Sequence, residues 1–219
     1  MTTVLVLRPE PGATASAARA EAAGFRAVTA PLFTIAPVDW APPTEPVDAL
    51  MLTSANAVRH GGPALALFHD LPVHAVGIET AAIASAAGFR DVRIGPGDAA
   101  GLVAALPDGL RVLHLAGREH RPALPAQGLR RIVYAADPVT ALPDAAREAL
   151  AGGAIALLHS ARAAATFAAL VETAGLSRAG IAVAALSPAV AAAAGIGWRR
   201  CAIAGAPDDE ALFRAANCR

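Results

Sequence analysis

Lysine is missing from this chain: all 18 of its basic residues are arginine. That excludes lysine Schiff-base chemistry, a lysine-anchored pyridoxal phosphate and a P-loop, each of which needs a lysine side chain. Cysteine is nearly missing too. Cys201, on an expected strand, and Cys218 stand alone, so neither a disulfide framework nor a cysteine zinc site is available. The six histidines are dispersed, and His114 and His120 lack an HExxH context, so no metal is expected. Aromatic residues make up 4% of the chain, which favours closely packed helices over large aromatic cores. Charge of one sign is also lacking: basic and acidic residues cancel to a net charge of zero. There is then no electrostatic basis for a nucleic-acid or anionic-membrane partner. No apolar run approaches the ~18 residues of a membrane span, and "MTTVLVLRPEPG" opens on a strand rather than a basic signal region. A soluble, cytoplasmic protein is the expectation.

What the chain does contain is alanine and a repeat. "DALMLTSANAVRH" followed by "PVHAVGIETAAIASAAGFRDVRIGPGDAAGLVAAL" is echoed by "GAIALLHSARAAATFAAL" followed by "IAVAALSPAVAAAAGIGWRRCAIAGAPDDEALF". Each copy reads as an apolar strand ending in Ser-Ala-x-Ala, a helix, a second strand, an Ala-rich helix, a third strand and an acidic helix start. Continuous apolar runs separated by helices predict parallel sheets covered on both faces. Residues 47–130 hold a complete unit, with strands expected near 48–53, 73–77, 91–94 and 111–116. The second copy, in 143–219, has strands near 154–158, 181–186 and 199–204, too few to stand alone. The strands at 3–8 and 27–32 have no sheet of their own. The economical solution assigns residues 1–31 plus 143–219 to a discontinuous outer lobe and 47–130 to an inner one. The Pro-punctuated stretches 32–46 and 131–142 then form a two-stranded antiparallel linker.

In open parallel sheets, ligands bind beyond the carboxyl ends of the strands. The corresponding turns here are "LRPEPG", "LTSANA", "VGIETA", "LAGREHRP", "LHSARA" and "LSPAVA". They are rich in small residues and hydroxyls and poor in acids. Helix starts of this kind favour anions, so the expected ligand carries several carboxylates or phosphates. Ser54 and Ser160 read equally as helix N-caps or as ligand contacts, and Thr80 as a first-turn residue or a contact. Arg8, at the end of a buried strand, is placed for forked carboxylate binding. Arg118, His120 and Arg121 crowd one turn that also reads as an ordinary solvated loop. "GPGDAAG" has the spacing GxGxxxG and is no dinucleotide fingerprint. Tyr134 is the only tyrosine. On the returning linker it is either a proton donor to a leaving hydroxyl or a packing residue.

The ordered set "LRPEPG", "APLFTIAPVDW", "LTSANAV", "VHAVGIETAAIASAAGF", "RVLHLAGRE", "VYAADPV", "LLHSARAAATF" and "LSPAVAAAA" resembles the uroporphyrinogen-III synthase family over essentially the whole chain. The resemblance implies two flavodoxin-like α/β lobes and a carbon-oxygen lyase that uses no metal or organic cofactor. It implies cyclisation of hydroxymethylbilane, with loss of water and inversion of ring D, in tetrapyrrole (heme) biosynthesis. Departure of the hydroxyl gives an azafulvene, and attack by a ring carbon gives a spiro intermediate that fragments and recloses. Since the substrate also cyclises unaided to the uninverted isomer, the enzyme's main task is geometric. The resemblance implies Tyr134 as the catalytic candidate, assisting hydroxyl departure, and Ser54, Thr80 and Ser160 as hydroxyls facing the substrate; Arg8, Asn56 and Ser187 complete the expected substrate contacts. Ala189 and Val190 stand where family members often carry Thr, so that contact falls to Ser187 or to backbone amides. The implied protein is a monomer with a small-molecule substrate, no nucleic acid, no membrane and transient contact with the preceding deaminase. The competing reading is a non-catalytic, two-lobed binding protein for a polycarboxylate.

Overall fold

The computed structural model describes residues 1–120 and 122–217; Arg121 and Cys218, read above, lie outside the described residues. The chain forms two compact units, Met1–Thr34 with Asp137–Arg219, and Ile35–Ala136.

The outer unit is built on five strands: β1 (Thr3–Val6), β2 (Arg26–Thr29), β9 (Ile155–Leu158), β10 (Ala182–Ala185) and β11 (Arg200–Ile203). Their order is β11-β10-β9-β1-β2, and all neighbours are parallel. The N-terminal strands therefore complete the sheet of the second repeat, as the strand count requires. β1 lies inside the sheet between β9 and β2, and its apolar residues Val4, Leu5 and Val6 are fully buried because helices cover both faces. On one face Val4, Val6, Leu157 and Ala184 meet Ala13 and Ala20 of α1 (Gly12–Ala22) and Leu212 and Phe213 of α8 (Asp209–Asn217). Phe25 closes this layer against Phe213, with ring centroids 5.7 Å apart. Alanine on the inward helix faces brings the backbones close to the sheet, as dense packing without aromatics requires. α5 (Asp144–Ala151), α6 (Ala161–Thr173) and α7 (Pro188–Ala194) complete the unit. Phe167 of α6 is fully buried and stacks on Trp198.

The inner unit carries β3 (Phe33–Pro37), β4 (Ala49–Leu52), β5 (Val73–Ala75), β6 (Val92–Ile94), β7 (Val112–Gly117) and β8 (Gly128–Pro138) in the order β3-β8-β7-β4-β5-β6. β6, β5, β4, β7 and β8 are parallel. The returning stretch is thus itself a strand of the inner sheet from Gly128 onward. Its only proline is the last residue, Pro138, so the N–H groups ahead of it are free to pair with β7. α2 (Ala55–His60) and α3 (Ile78–Ala86) supply Val58 and Ala84 to the larger core, with Leu50, Leu52, Leu113, Leu115 and Val133. α4 (Ala99–Ala104) places Leu102 against Met51 and Val112 in a smaller core.

Helix starts at the strand ends are side-chain capped. Ser54 accepts from the Asn56 amide at 3.2 Å, Ser160 from Ala163 at 3.1 Å and Ser187 from Val190 at 3.4 Å. Asp98 accepts from Gly101 at 2.9 Å and Asp208 from Ala211 at 2.7 Å. Ser160→Ala is expected to destabilise the outer unit by about 1 kcal/mol, and Ser160→Gly by only a few tenths. Denaturant unfolding followed at Trp198, the tryptophan of that unit, measures both; equal losses would remove the cap from the account.

Candidate active site

A cavity of about 340 Å³ opens in the inner unit at the carboxyl ends of its strands, where parallel sheets bind ligands. Thr53 and Ser54 follow β4, Val76 follows β5, Gly97 and Asp98 follow β6, and Gly117 ends β7. Tyr134 reaches the same cavity from β8.

A slip in strand register places it there. Ala116 pairs with Ile132, but the next pair is Gly117 with Tyr134. One extra residue, Val133, is therefore accommodated in β8. Such bulges re-aim a side chain beside a site. The Tyr134 ring lies directly over Gly117: a Cβ on Gly117 would sit 2.5 Å from Tyr134 Cζ and 2.8 Å from its hydroxyl oxygen. Glycine is thus required here by close approach, since any side chain would displace the ring. The His60 ring lies 6.3 Å from the Tyr134 ring between centroids.

Beneath the cavity lies a polar network that the sequence reading did not identify. β7 is buried along its entire length, yet it carries His114. His114 Nε2 is 2.9 Å from Thr53 Oγ1, and Arg130 Nε donates to His114 Nδ1 at 3.2 Å. Burial first, then the neighbouring Arg130 guanidinium and His120 ring, lowers the His114 pKa to about 4. At neutral pH the ring is uncharged. His120 binds the Gly117 carbonyl through Nδ1 at 2.9 Å. A histidine interrupting "VLHLAG" was the available signal, since an apolar strand gains nothing from an imidazole unless it has partners.

The outer unit has its own cavity of about 480 Å³, lined by Arg8, Arg19, His159, Leu186, Pro207 and the acidic start of α8. Arg8 donates to Ser16 Oγ at 3.2 Å, and Ser16 donates to Asp209 at 2.7 Å. Arg19 donates to the same carboxylate through Nε at 2.9 Å and Nη2 at 2.5 Å, and His159 Nε2 approaches it at 3.0 Å. The His159 hydrogen bond first, then those of Ser16 and Arg19, hold the Asp209 carboxyl well below the usual carboxylate range despite its burial. Arg8 thus faces its cavity already engaged through Ser16.

Of the expected residues, Ser54 and Tyr134 line the inner cavity and Arg8 the outer one. Asn56 accepts from Arg59 on α2 at 3.1 Å, and Thr80 is buried in the first turn of α3; both are set back from the inner cavity. Ser160 and Ser187 cap α6 and α7. No cluster that could hold a metal ion occurs among the described residues, and no helix among them is long and apolar enough to cross a membrane.

Two parallel α/β units, with hydroxyl-bearing turns around a cavity at the strand ends of the inner one, place the protein among the α/β folds that bind ligands beyond the carboxyl ends of their strands. The chain belongs to the uroporphyrinogen-III synthase HemD family, whose model matches residues 14–214. That is a family of lyase-type enzymes of tetrapyrrole biosynthesis. Among solved structures the chain is similar to a uroporphyrinogen-III synthetase from Helicobacter pylori, at 18% identity over 98% of this chain and 97% of that one, with a TM-score of 0.67. It is also similar to a mutant uroporphyrinogen III synthase from Thermus thermophilus, at 19% identity over 98% of this chain and 96% of that one, with a TM-score of 0.54. At these identities the likeness speaks for the fold. Comparison with curated protein sequences finds no match.

Proposed function

We propose that this chain cyclises hydroxymethylbilane to uroporphyrinogen III, with loss of water and inversion of the last ring, and that Tyr134 assists departure of the hydroxyl. The observation that carries the reading is the placement of the tyrosine ring over Gly117 at the mouth of a hydroxyl-lined cavity. A phenol at that position is a proton donor for a leaving hydroxyl. The chemistry needs little more in acid–base power, because the linear substrate closes spontaneously to the uninverted isomer. Its selectivity depends on how the bilane is folded, and effective-molarity gains of this kind come from positioning. His114, held neutral, adds no competing charge. Ser54, in this reading, meets the substrate at the inner cavity, while Arg8, with a guanidinium at the outer one, meets a carboxylate arm. Ser160 and Ser187 act through the helix starts they cap, and Asn56 and Thr80 stand in the first turns of α2 and α3. The protein works as a cytoplasmic monomer on a small molecule, with transient contact to the deaminase that supplies it.

The test generates hydroxymethylbilane in situ, adds the protein, oxidises the product and separates the isomers. Isomer III above background supports the reading; isomer I alone sinks it. Tyr134→Phe is expected to lower kcat about 10- to 100-fold, within the range of a single general acid, while isomer III remains the product. Activity below detection with an intact fold would show that folding of the substrate does not carry the selectivity.

A further inference from the structure

The buried network under the inner cavity has a direction. Arg130 is a pure donor, so the His114 Nδ1 that receives its Nε–H at 3.2 Å must be the bare nitrogen. The hydrogen of the neutral ring is then on Nε2, which donates to Thr53 Oγ1 at 2.9 Å. Arg130 is itself fixed, with Nη2 on the Ala123 carbonyl at 3.0 Å. Strand register builds the chain: Met51 of β4 is opposite His114 of β7, and His114 is opposite Arg130 of β8. In extended chain Thr53, two residues beyond Met51, falls on the same face. Both Thr53 and His114 border the cavity.

We infer that Arg130 and His114 are positioning residues that hold Thr53 as a hydrogen-bond donor toward the inner cavity, where it binds a substrate carboxylate. Thr53 Oγ1 already accepts from His114, so its own hydrogen is what it offers. A core without a specific purpose for these groups would be served as well by apolar side chains, since buried polar networks add little net stability. The acids at the cavity do not occupy Thr53: Asp98 is engaged in capping α4, and Glu119 is exposed on the turn after β7. A carboxylate is the acceptor because the departing hydroxyl is assigned to Tyr134, an assignment that rests on the reaction proposed above.

Two measurements test the inference on the full chain. Long-range ¹⁵N–¹H spectra of the imidazoles between about pH 6 and 8, where His114 is neutral, are expected to show it protonated on Nε2. Arg130→Met is expected to release that preference. A ring protonated on Nδ1 in the unsubstituted protein overturns the inference without reference to any substrate. In the isomer assay Thr53→Val is expected to raise KM for hydroxymethylbilane about 10- to 100-fold, the equivalent of one hydrogen bond to a charged group. Thr53→Ser, which keeps the hydroxyl, is expected to stay within about twofold of the parent. An unchanged KM in Thr53→Val, or a fall in kcat alone, overturns the carboxylate assignment. Failure of the unsubstituted protein to form isomer III counts against the reaction instead, and the tautomer still decides the donor chain.

Discussion

Gly117→Ala is expected to cost the inner unit about 1–3 kcal/mol and to lower isomer III formation at least as far as Tyr134→Phe does. The added methyl would stand 2.5 Å from Tyr134 Cζ and 2.8 Å from a second ring carbon and the hydroxyl, far inside contact distance. Something has to move. Gly117 is itself buried and is held in the ladder opposite Tyr134 on β8, so the ring is the part that gives way. That separates the two consequences. Adding Tyr134→Leu to Gly117→Ala is expected to restore much of the stability, since the clash is then removed, but none of the activity. In a double-mutant cycle the two positions should couple by more than about 0.5 kcal/mol, as residues in contact do. Unfolding followed at Trp40, the inner unit's tryptophan, supplies the stability; separation of product isomers supplies the rate. Additive stabilities would show that the ring does not rest on Gly117 in solution.

Asp209→Asn is expected to lower the stability of the outer unit at pH 7 by about 2–4 kcal/mol. The carboxylate is 9% exposed and serves three partners on two separate segments: Arg19 and Ser16 on α1, and His159 after β9. Arg19 is half exposed and returns to water at little cost, so most of the loss comes from His159 and Ser16. His159 Nδ1 is already buried without a hydrogen-bond partner among the described residues, which leaves that ring with no alternative anchor. The pH dependence follows from the sign of the shift. Because the folded pKa of Asp209 is depressed, its contribution is complete above the unfolded value of about 3.9 and is lost as pH falls below it. Parent and Asp209→Asn stabilities, read at Trp198 in denaturant, should therefore differ at pH 7 and converge as the pH falls below about 4. A constant difference between them would mean that the aspartate acts through shape rather than charge.

Much of the architecture was legible because it rests on short-range patterns. Apolar runs such as "TVLVL" and "GAIALLH", with Gly or Pro at their ends, are read directly as buried strands. The shortage of strands in the second repeat required the N-terminal pair to join it. The serines at the strand ends were legible as caps for the same reason: the backbone amides they satisfy are two or three residues away. What the sequence concealed depends on partners brought together by the sheets. Ser16 and Arg19 meet Asp209 across 193 and 190 residues, and nothing local marks Asp209 as more than an acidic helix start. His114 becomes part of a donor chain only because β7 lies between β4 and β8 in a particular register. Tyr134 was identified from its rarity, but the bulge that seats it over Gly117 has no sequence signature: Val133 pairs with nothing on β7, yet it is as apolar as its neighbours.

The place of β1 between β9 and β2 in the outer sheet has a consequence for how the protein is made. β2 and α1 emerge from the ribosome soon after it, but its other neighbour, β9, lies roughly 150 residues further on. At bacterial-type elongation speeds that interval is on the order of 10 s. During that time an apolar strand edge awaits its partner while the whole contiguous inner unit, Ile35–Ala136, is made and becomes free to fold. For most of its synthesis the nascent chain therefore carries a half-built, aggregation-prone sheet at its N-terminus, and β1 is the segment on which a chaperone would act.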